Sequence, residues 1–281
     1  MEFQRYETVT ACTACGSEQL VIINSRAAIH ECTHCKCRIV SPRPTQASIT
    51  LSYNVGTVYE QWLKDDEKRT DLWKRRLAII RTITNKGTIL DVGAGIGTFL
   101  HLAKQEGYIA NGTETSETAT HIAQKLYGLS LACGQLADIH YTDASFDIVT
   151  MWHVLEHVPM PSQIIKECFR ILKPGGHLVI AVPNDLELKG IIGECIGRSR
   201  YKPITFCDEI HLTYFTTKSL NTALIKSGFN VIQNGLDDYS PVKNIKRRVK
   251  YFMSYFIELL TGVNIYDTLF AIGKKGNENL P

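Results

Sequence analysis

No apolar run in this 281-residue chain approaches the length a bilayer demands. The longest, such as HLVIAVP at 177–183 and FMSYFIELL at 252–260, fall far short of the roughly 20 residues of a spanning helix. The opening residues, MEFQRYETVTACTAC, lack a basic segment followed by an apolar one, so no secretory leader is expected and the chain reads as cytoplasmic. Charge of one sign is not in excess: 31 Lys and Arg stand against 28 Asp and Glu, a formal net charge of +3. That balance permits an anionic ligand but argues against nucleic acid as the principal partner. There is no G-x-x-x-x-G-K run, which counts against a P-loop nucleotide site. What is present, 44% hydrophobic and 21% charged residues, suits one large domain with a small appendage.

The appendage is announced by cysteine. Five of the nine cysteines fall between Cys12 and Cys37, in the order Cys12-Thr-Ala-Cys15-Gly and then Cys32-Thr-His-Cys35-Lys-Cys37. A reducing compartment disfavours disulfides, so paired C-x-x-C knuckles point to a tetrahedral metal site. Cys12, Cys15, Cys32 and Cys35 are the expected ligands of a structural zinc ion in a ribbon over residues 1–45, with His30, His34 or Cys37 as substitute ligands. Metal binding would supply folding free energy that so small a core lacks. The bland alternative is four free thiols in a small β-rich segment. Pro42 and Pro44 around Arg43 then mark an extended turn, and residues 46–86 read as a helical linker region. Within it Trp62, Leu72, Trp73, Leu77, Ile80 and Ile83 recur at helical spacing from Tyr59 to Thr84.

From residue 87 onward strands and helices alternate. ILDVGAGIGTF at 89–99 places Gly93, Gly95 and Gly97 between a strand at 88–92 and a helix at 98–106, where a sharp turn would let a ligand lie against the backbone. Asp91 ends that strand and can receive an ammonium group. Glu114 follows 23 residues later at the tip of a second strand, placed to accept hydrogen bonds from vicinal ribose hydroxyls, with capping of the next helix as its competing role beside Ser116. Further strands are read in LSLACGQL (129–136), at the start of FDIVTMWHVLEHV (146–158), which runs on into a loop and a helix, and in HLVIAVPN (177–184), NVIQNGL (230–236) and YDTLFAIGKK (266–275), with KPGG at 173–176 as a turn. The expected fold is α/β, a doubly wound and mostly parallel seven-stranded sheet with ligands at the carboxyl ends of its strands.

LDVGAGIGTF, GTETSETA, CGQLADIHYTDASFDIVTMWHVLEHV, ILKPGGHLVIAVPN and HLTYFTTKSLNTALIKSGF together resemble the class I S-adenosylmethionine-dependent methyltransferases over about residues 86–235. The front, with its knuckles and P-x-P, is similar to a small-molecule subgroup carrying an N-terminal zinc ribbon. The resemblance implies S-adenosylmethionine as cofactor, with Asp91, Gly93 and Gly95 by its methionine part, Glu114 on the ribose and Gln135 and Leu136 about the adenine. Ala94, Gly97, Thr115 and Trp152 complete the implied cofactor set, Trp152 beside the sulfonium. His153, His157 and His211 are the implied catalytic candidates, as bases toward an acceptor hydroxyl, and Asn184 a candidate acceptor contact.

The implied reaction is methylation of a small molecule (a sugar, a nucleotide-sugar or a glycan or natural-product precursor), at oxygen first, with carbon open because a histidine base could also abstract an acidic C–H proton. The alternatives are an rRNA or tRNA methyltransferase using the zinc module to recognise RNA, although the Asn-Pro-Pro-Tyr-type motif is missing, and a non-catalytic scaffold of the same fold. GRSRYKP at 197–203 offers Arg198, Arg200 and Lys202 to a phosphate-bearing acceptor, or is a solvated loop. An insert at about 240–262 contains KNIKRRVKYFMSYFIELL (243–260), basic at its start and apolar along one helical face. It is read as a lid or a contact between subunits of a homo-oligomer, with a membrane surface as the other partner.

Overall fold

A strand buried on both faces reads as a near-continuous apolar run, and TILDV and FDIVTMW are such runs. The computed structural model, which describes residues 6–49, 66–202, 210–237 and 245–277, folds both into the middle of a seven-stranded sheet. The ribbon region contributes β1 (Tyr6–Glu7), β2 (Leu20–Asn24), β3 (Ile29–Cys32), β4 (Arg38–Val40) and β5 (Arg43–Pro44). Helix α1 (Asp66–Ile83) leads into β6 (Thr88–Val92), α2 (Thr98–Gln105), β7 (Ile109–Glu114), α3 (Glu117–Tyr127), β8 (Ala132–Cys133) and α4 (Leu136–Ile139). Then come β9 (Phe146–Trp152), α5 (Pro161–Ile171), β10 (Leu172–Pro183), α6 (Leu188–Cys195), β11 (Thr213–Tyr214), α7 (Thr217–Lys226), β12 (Asn230–Leu236), α8 (Ile245–Thr261) and β13 (Thr268–Lys274). Tyr59 and Trp62 lie outside the described residues.

The main sheet runs β12-β13-β10-β9-β6-β7-β8, parallel except for β13, which is antiparallel to both neighbours. Its two faces are legible in the period-two alternation of the strands. Leu90, Val149, Met151, Leu178, Ile180 and Val182 face one cluster, whereas Ile89, Ile148, Trp152, Val179 and Ala181 face the other, under α1 and α2. By that parity Asp91 and Thr150 belong to the α1 side, and their side chains meet there.

Two expectations change. KPGG is not a break before the strand: β10 runs unbroken from Leu172, and the glycines absorb a register shift against β9 between Leu172 and His177, with Gly175 at φ +77°. The strand expected over 129–136 shrinks to Ala132–Cys133. It is the sheet's edge, Leu129 and Leu136 turn into the core instead, and Gly134 N–H closes on the Glu114 carbonyl.

The ribbon is joined to the main body. β11, from the far side of the sequence, pairs with β4 and completes a four-stranded sheet β11-β4-β3-β2. Arg38 on β4 reaches Asp185 (2.6 Å) and the Tyr201 hydroxyl (2.5 Å), and Tyr201 donates to the same carboxylate at 2.7 Å. Cys12, Cys15, Cys32 and Cys35 share one apolar cluster with Leu155, Phe215 and Leu220 of the main body.

Candidate active site

The turn after β6 bends through three left-handed residues, Gly93, Gly95 and Gly97 at φ +70°, +55° and +82°. The reason for glycine differs from the one expected at two of them. A Cβ on Gly93 would stand 2.6 Å from Val154, and one on Gly97 2.9 Å from Leu129, so the protein's own packing leaves no room for a side chain at either position. Gly95 instead donates its N–H to Glu114 at 2.8 Å. Glu114, buried, also accepts from Ser116 N–H at 2.9 Å, and the Thr115 hydroxyl reaches it at 3.4 Å. Ser116, not Glu114, caps α3, accepting from Ala119 N–H, so the carboxylate keeps lone pairs for a ligand hydroxyl.

Asp91, Gly93, Ala94, Gly95 and Trp152 line one narrow cleft, together with Ile96, Thr98 and two α1 residues, Arg69 and Trp73. Asp91 accepts from the Thr150 hydroxyl at 2.6 Å. Burial pushes its carboxyl up to about 7, the Thr150 bond and Arg76 opposing and Glu114 reinforcing. Trp152 packs edge-on to Phe99 at 5.5 Å and lies under the Arg76 guanidinium at 4.6 Å, while its Nε1 is buried without a hydrogen-bond partner. Arg76, fully buried, is held by Asp237 at 2.5 Å. Arg69, Trp73 and Arg76 were not singled out as site residues in the sequence; their i, i+4, i+7 spacing was the available signal, and it also describes an ordinary amphipathic helix. Gln135 sits at the N-cap of α4 with no side-chain cap bond, and Leu136 is buried in the core near Val92.

The three histidines, scattered in sequence, surround one carboxylate. His153 follows β9 in a left-handed conformation (φ +58°), tied by its N–H to the Ala181 carbonyl. Its Nδ1 is 3.5 Å from Glu156 Oε1, and His157 Nε2 is 3.8 Å from the same oxygen. His157 and His211 meet edge to face at 4.9 Å. Leu212 and Thr213 N–H both donate to the Glu156 carbonyl, which is what brings His211 here. Glu156 is 1% exposed and neither carboxylate oxygen has a hydrogen-bond partner. Burial raises its pKa, but the His153 ring beside it and the charges of His157, His153 and His211 outweigh that and leave it below the usual carboxylate range. Glu156 has no signal of its own in the sequence beyond its place between Leu155 and His157.

Other candidates are engaged elsewhere. Asn184 does not face an acceptor: its amide donates to the Asn264 and Tyr266 carbonyls at 2.8 Å and its oxygen accepts from Leu186 N–H. Arg200 is paired with Glu194 at 3.0 Å, and Arg198 and Lys202 are exposed.

Cys12, Cys15, Cys32 and Cys35 place all four sulfurs within 4.8 Å of one another, with Cys12–Cys35 at 3.6 Å and Cys15–Cys32 at 3.7 Å. A tetrahedron of sulfurs about 2.3 Å from zinc has edges of about 3.8 Å, so the donor set fits that ion. The two knuckles match: Gly16 (φ +77°) and Lys36 (φ +64°) follow the second cysteine of each, donating to the carbonyls of Cys12 and Cys32. Cys37 turns its thiol to the Tyr214 carbonyl, and His34 is exposed.

A seven-stranded sheet of this order, a glycine turn ending β6 and acids at the tips of β6 and β7 define the doubly wound cofactor-binding enzymes. Residues 65–234 match the family described as a methyltransferase domain, and the chain belongs to the class I S-adenosylmethionine-dependent methyltransferases. A ubiquinone biosynthesis O-methyltransferase of Coxiella burnetii is 34% identical over 112 residues, 38% of this chain and 48% of that protein. The chain spans about half the length of the curated relatives it matches. In fold it is similar to a SAM-dependent methyltransferase of Thermotoga maritima (TM-score 0.56, 23% identity, 81% of this chain and 99% of the other). It is also similar to one of Archaeoglobus fulgidus (TM-score 0.51, 20% identity, 76% and 99%).

Proposed function

We propose that the chain methylates a hydroxyl of a small molecule, with S-adenosylmethionine supplying an electrophilic methyl group and zinc holding the ribbon. The observation that carries this reading is the adjacency of two differently built sites at the end of β9: Trp152 lines the cleft of Asp91 and Gly95, and the next residue, His153, begins the carboxylate–imidazole group. Asp91, in the cleft, suits the cofactor's ammonium; outside the cleft's lining, Glu114, bonded to Gly95, with Thr115 suits ribose hydroxyls, and Gln135 and Leu136 suit the adenine. The unpartnered Trp152 Nε1 is a donor awaiting an acceptor. On the acceptor side a carbonyl can only accept, so the 2.8 Å contact with Ile210 O puts a hydrogen on His157 Nδ1 and makes Nε2 the atom able to exchange a proton. His153, His157 and His211 are thereby suited to take a hydroxyl proton or to hold the acceptor. Because Arg200 is engaged with Glu194, a sugar or other polyol without a pyrophosphate fits this site better than a nucleotide-sugar.

Calorimetry with S-adenosylhomocysteine tests the cofactor half. Binding at tens of micromolar or tighter is expected, weakened at least tenfold in Glu114→Gln; absence of binding by the folded wild type overturns the enzyme reading. Release of labelled methyl to hydroxyl-bearing small molecules, lost in His211→Ala with cofactor affinity kept, tests the acceptor half.

The insert contributes a further partner. Helix α8 leaves Val249, Phe252, Met253, Phe256 and Leu260 exposed along one face, which argues against the lid reading. The stretch 243–260 holds five basic residues and one acid, Glu258. This charge favours an anionic lipid surface over a second copy as the occupant of that face.

A further inference from the structure

We infer that Glu156, His157 and His211 form a binding site for one first-row divalent metal ion, separate from the cysteine site, on which an oxygen of the acceptor is held. The inference rests on the methyltransferase reading for the acceptor, but the ion itself does not require it. One oxygen of Glu156 and one nitrogen each of His157 and His211 lie within 4.8 Å of one another. Glu156 is buried and its two oxygens make no hydrogen bond, which is costly for a carboxylate unless a cation compensates it. His157 is already arranged as a ligand. Its Nδ1–H is anchored on the Ile210 carbonyl at 2.8 Å, the outer bond that metal-bound imidazoles characteristically make, and this turns Nε2 toward Glu156 Oε1 at 3.8 Å. At 3.8 Å the two atoms are too far apart for a hydrogen bond, a separation that suits two donors turned to one ion. Drawing the donors to about 2.1 Å from one ion needs side-chain shifts on the order of an ångström or less.

Two imidazoles and a carboxylate suit zinc, iron, cobalt or manganese, and leave coordination positions open. His153, 3.5 Å from the same carboxylate, stands beside the three. An acceptor oxygen bound to such an ion would be more acidic than in water, with His157 and His211 then serving as ligands and not as bases. The soft ribbon thiolates hold zinc preferentially, so the two sites are distinguishable by metal.

The test is Co2+ titration of protein holding a single equivalent of zinc per chain, which the ribbon thiolates take first, followed by calorimetry and visible absorption. One equivalent of Co2+ per chain is expected, with weak visible bands and no intense thiolate-to-cobalt charge-transfer band. Glu156→Gln and His211→Ala should each weaken binding at least tenfold while keeping wild-type affinity for S-adenosylhomocysteine, which reports the fold and the cofactor cleft independently. No Co2+ binding to the wild type, or wild-type affinity in the variants, overturns the site even if the cofactor binds. If Glu156→Gln fails to fold, His211→Ala, whose ring is only half-buried, decides the matter. Should the wild type bind Co2+ but not the nucleoside, the metal site stands and the methyltransferase reading falls.

Discussion

Asp91 is held where its charge depends on what sits beside it. Burial lifts its carboxyl from 3.8 to about 7, so near neutrality Asp91 occupies both protonation states. An acid whose pKa is raised by folding opposes stability as pH rises from its unfolded value through the folded one, because the unfolded chain gives up the proton more readily. A cationic ligand reverses the balance by favouring the carboxylate. Affinity for S-adenosylhomocysteine, which carries an ammonium, should therefore be flat above pH 7 and fall by up to about tenfold for each pH unit below it. Calorimetry between pH 6 and 8 should record proton release on binding. Asp91→Asn should bind more weakly and with no such slope; a wild-type affinity independent of pH, or an equal slope in the variant, would remove Asp91 from the ammonium site.

At the scale of elements, the ribbon behaves as part of the main fold. Its cysteines lie in one apolar cluster with Leu155, Phe215 and Leu220, β11 pairs with β4, and Arg38 is paired with the buried Asp185. Stripping metal with a strong chelator, or replacing Cys12 and Cys32 by Ser, should lower the melting of the whole molecule in one transition seen by calorimetry. Loss of an early, separate transition with the main melt unmoved would contradict this coupling. The sequence carried the outline of these elements well, because β6, β9 and β10 are apolar runs whose parity alone assigns their faces. It carried β8 poorly, since an edge strand of two residues has no periodicity to read. The histidine cluster was visible only as its members. His157 and His211 are 54 positions apart, and the bonds that unite them, from Leu212 and Thr213 to the Glu156 carbonyl, are backbone contacts that no side-chain pattern encodes. Arg69, Trp73 and Arg76 were equally hidden, because a helix face packed on a core and a helix face lining a cleft use the same spacing.

At the scale of the molecule, the unbalanced feature is α8. Phe252, Met253, Phe256 and Leu260 are each more than half exposed, a concentration of large apolar side chains that a surface in water does not sustain without a partner. Among the described residues no helix is long and apolar enough to cross a membrane, so a lipid contact here would lie in the interface plane. Lys243, Lys246, Arg247, Arg248 and Lys250 precede or begin the apolar face, and each basic residue near an anionic leaflet contributes about 1 kcal/mol. Lys250 also pairs with Asp267, which lessens its share. Co-sedimentation should therefore show binding to vesicles containing phosphatidylglycerol, little binding to phosphatidylcholine alone, and a loss of binding as salt screens the charges. Phe252→Ser with Phe256→Ser should abolish vesicle binding and leave cofactor affinity unchanged, since neither residue lines the cleft of Asp91. If the wild type ignores lipid charge and instead forms a dimer that the same double substitution dissolves, a second copy covers this face and the lipid assignment fails.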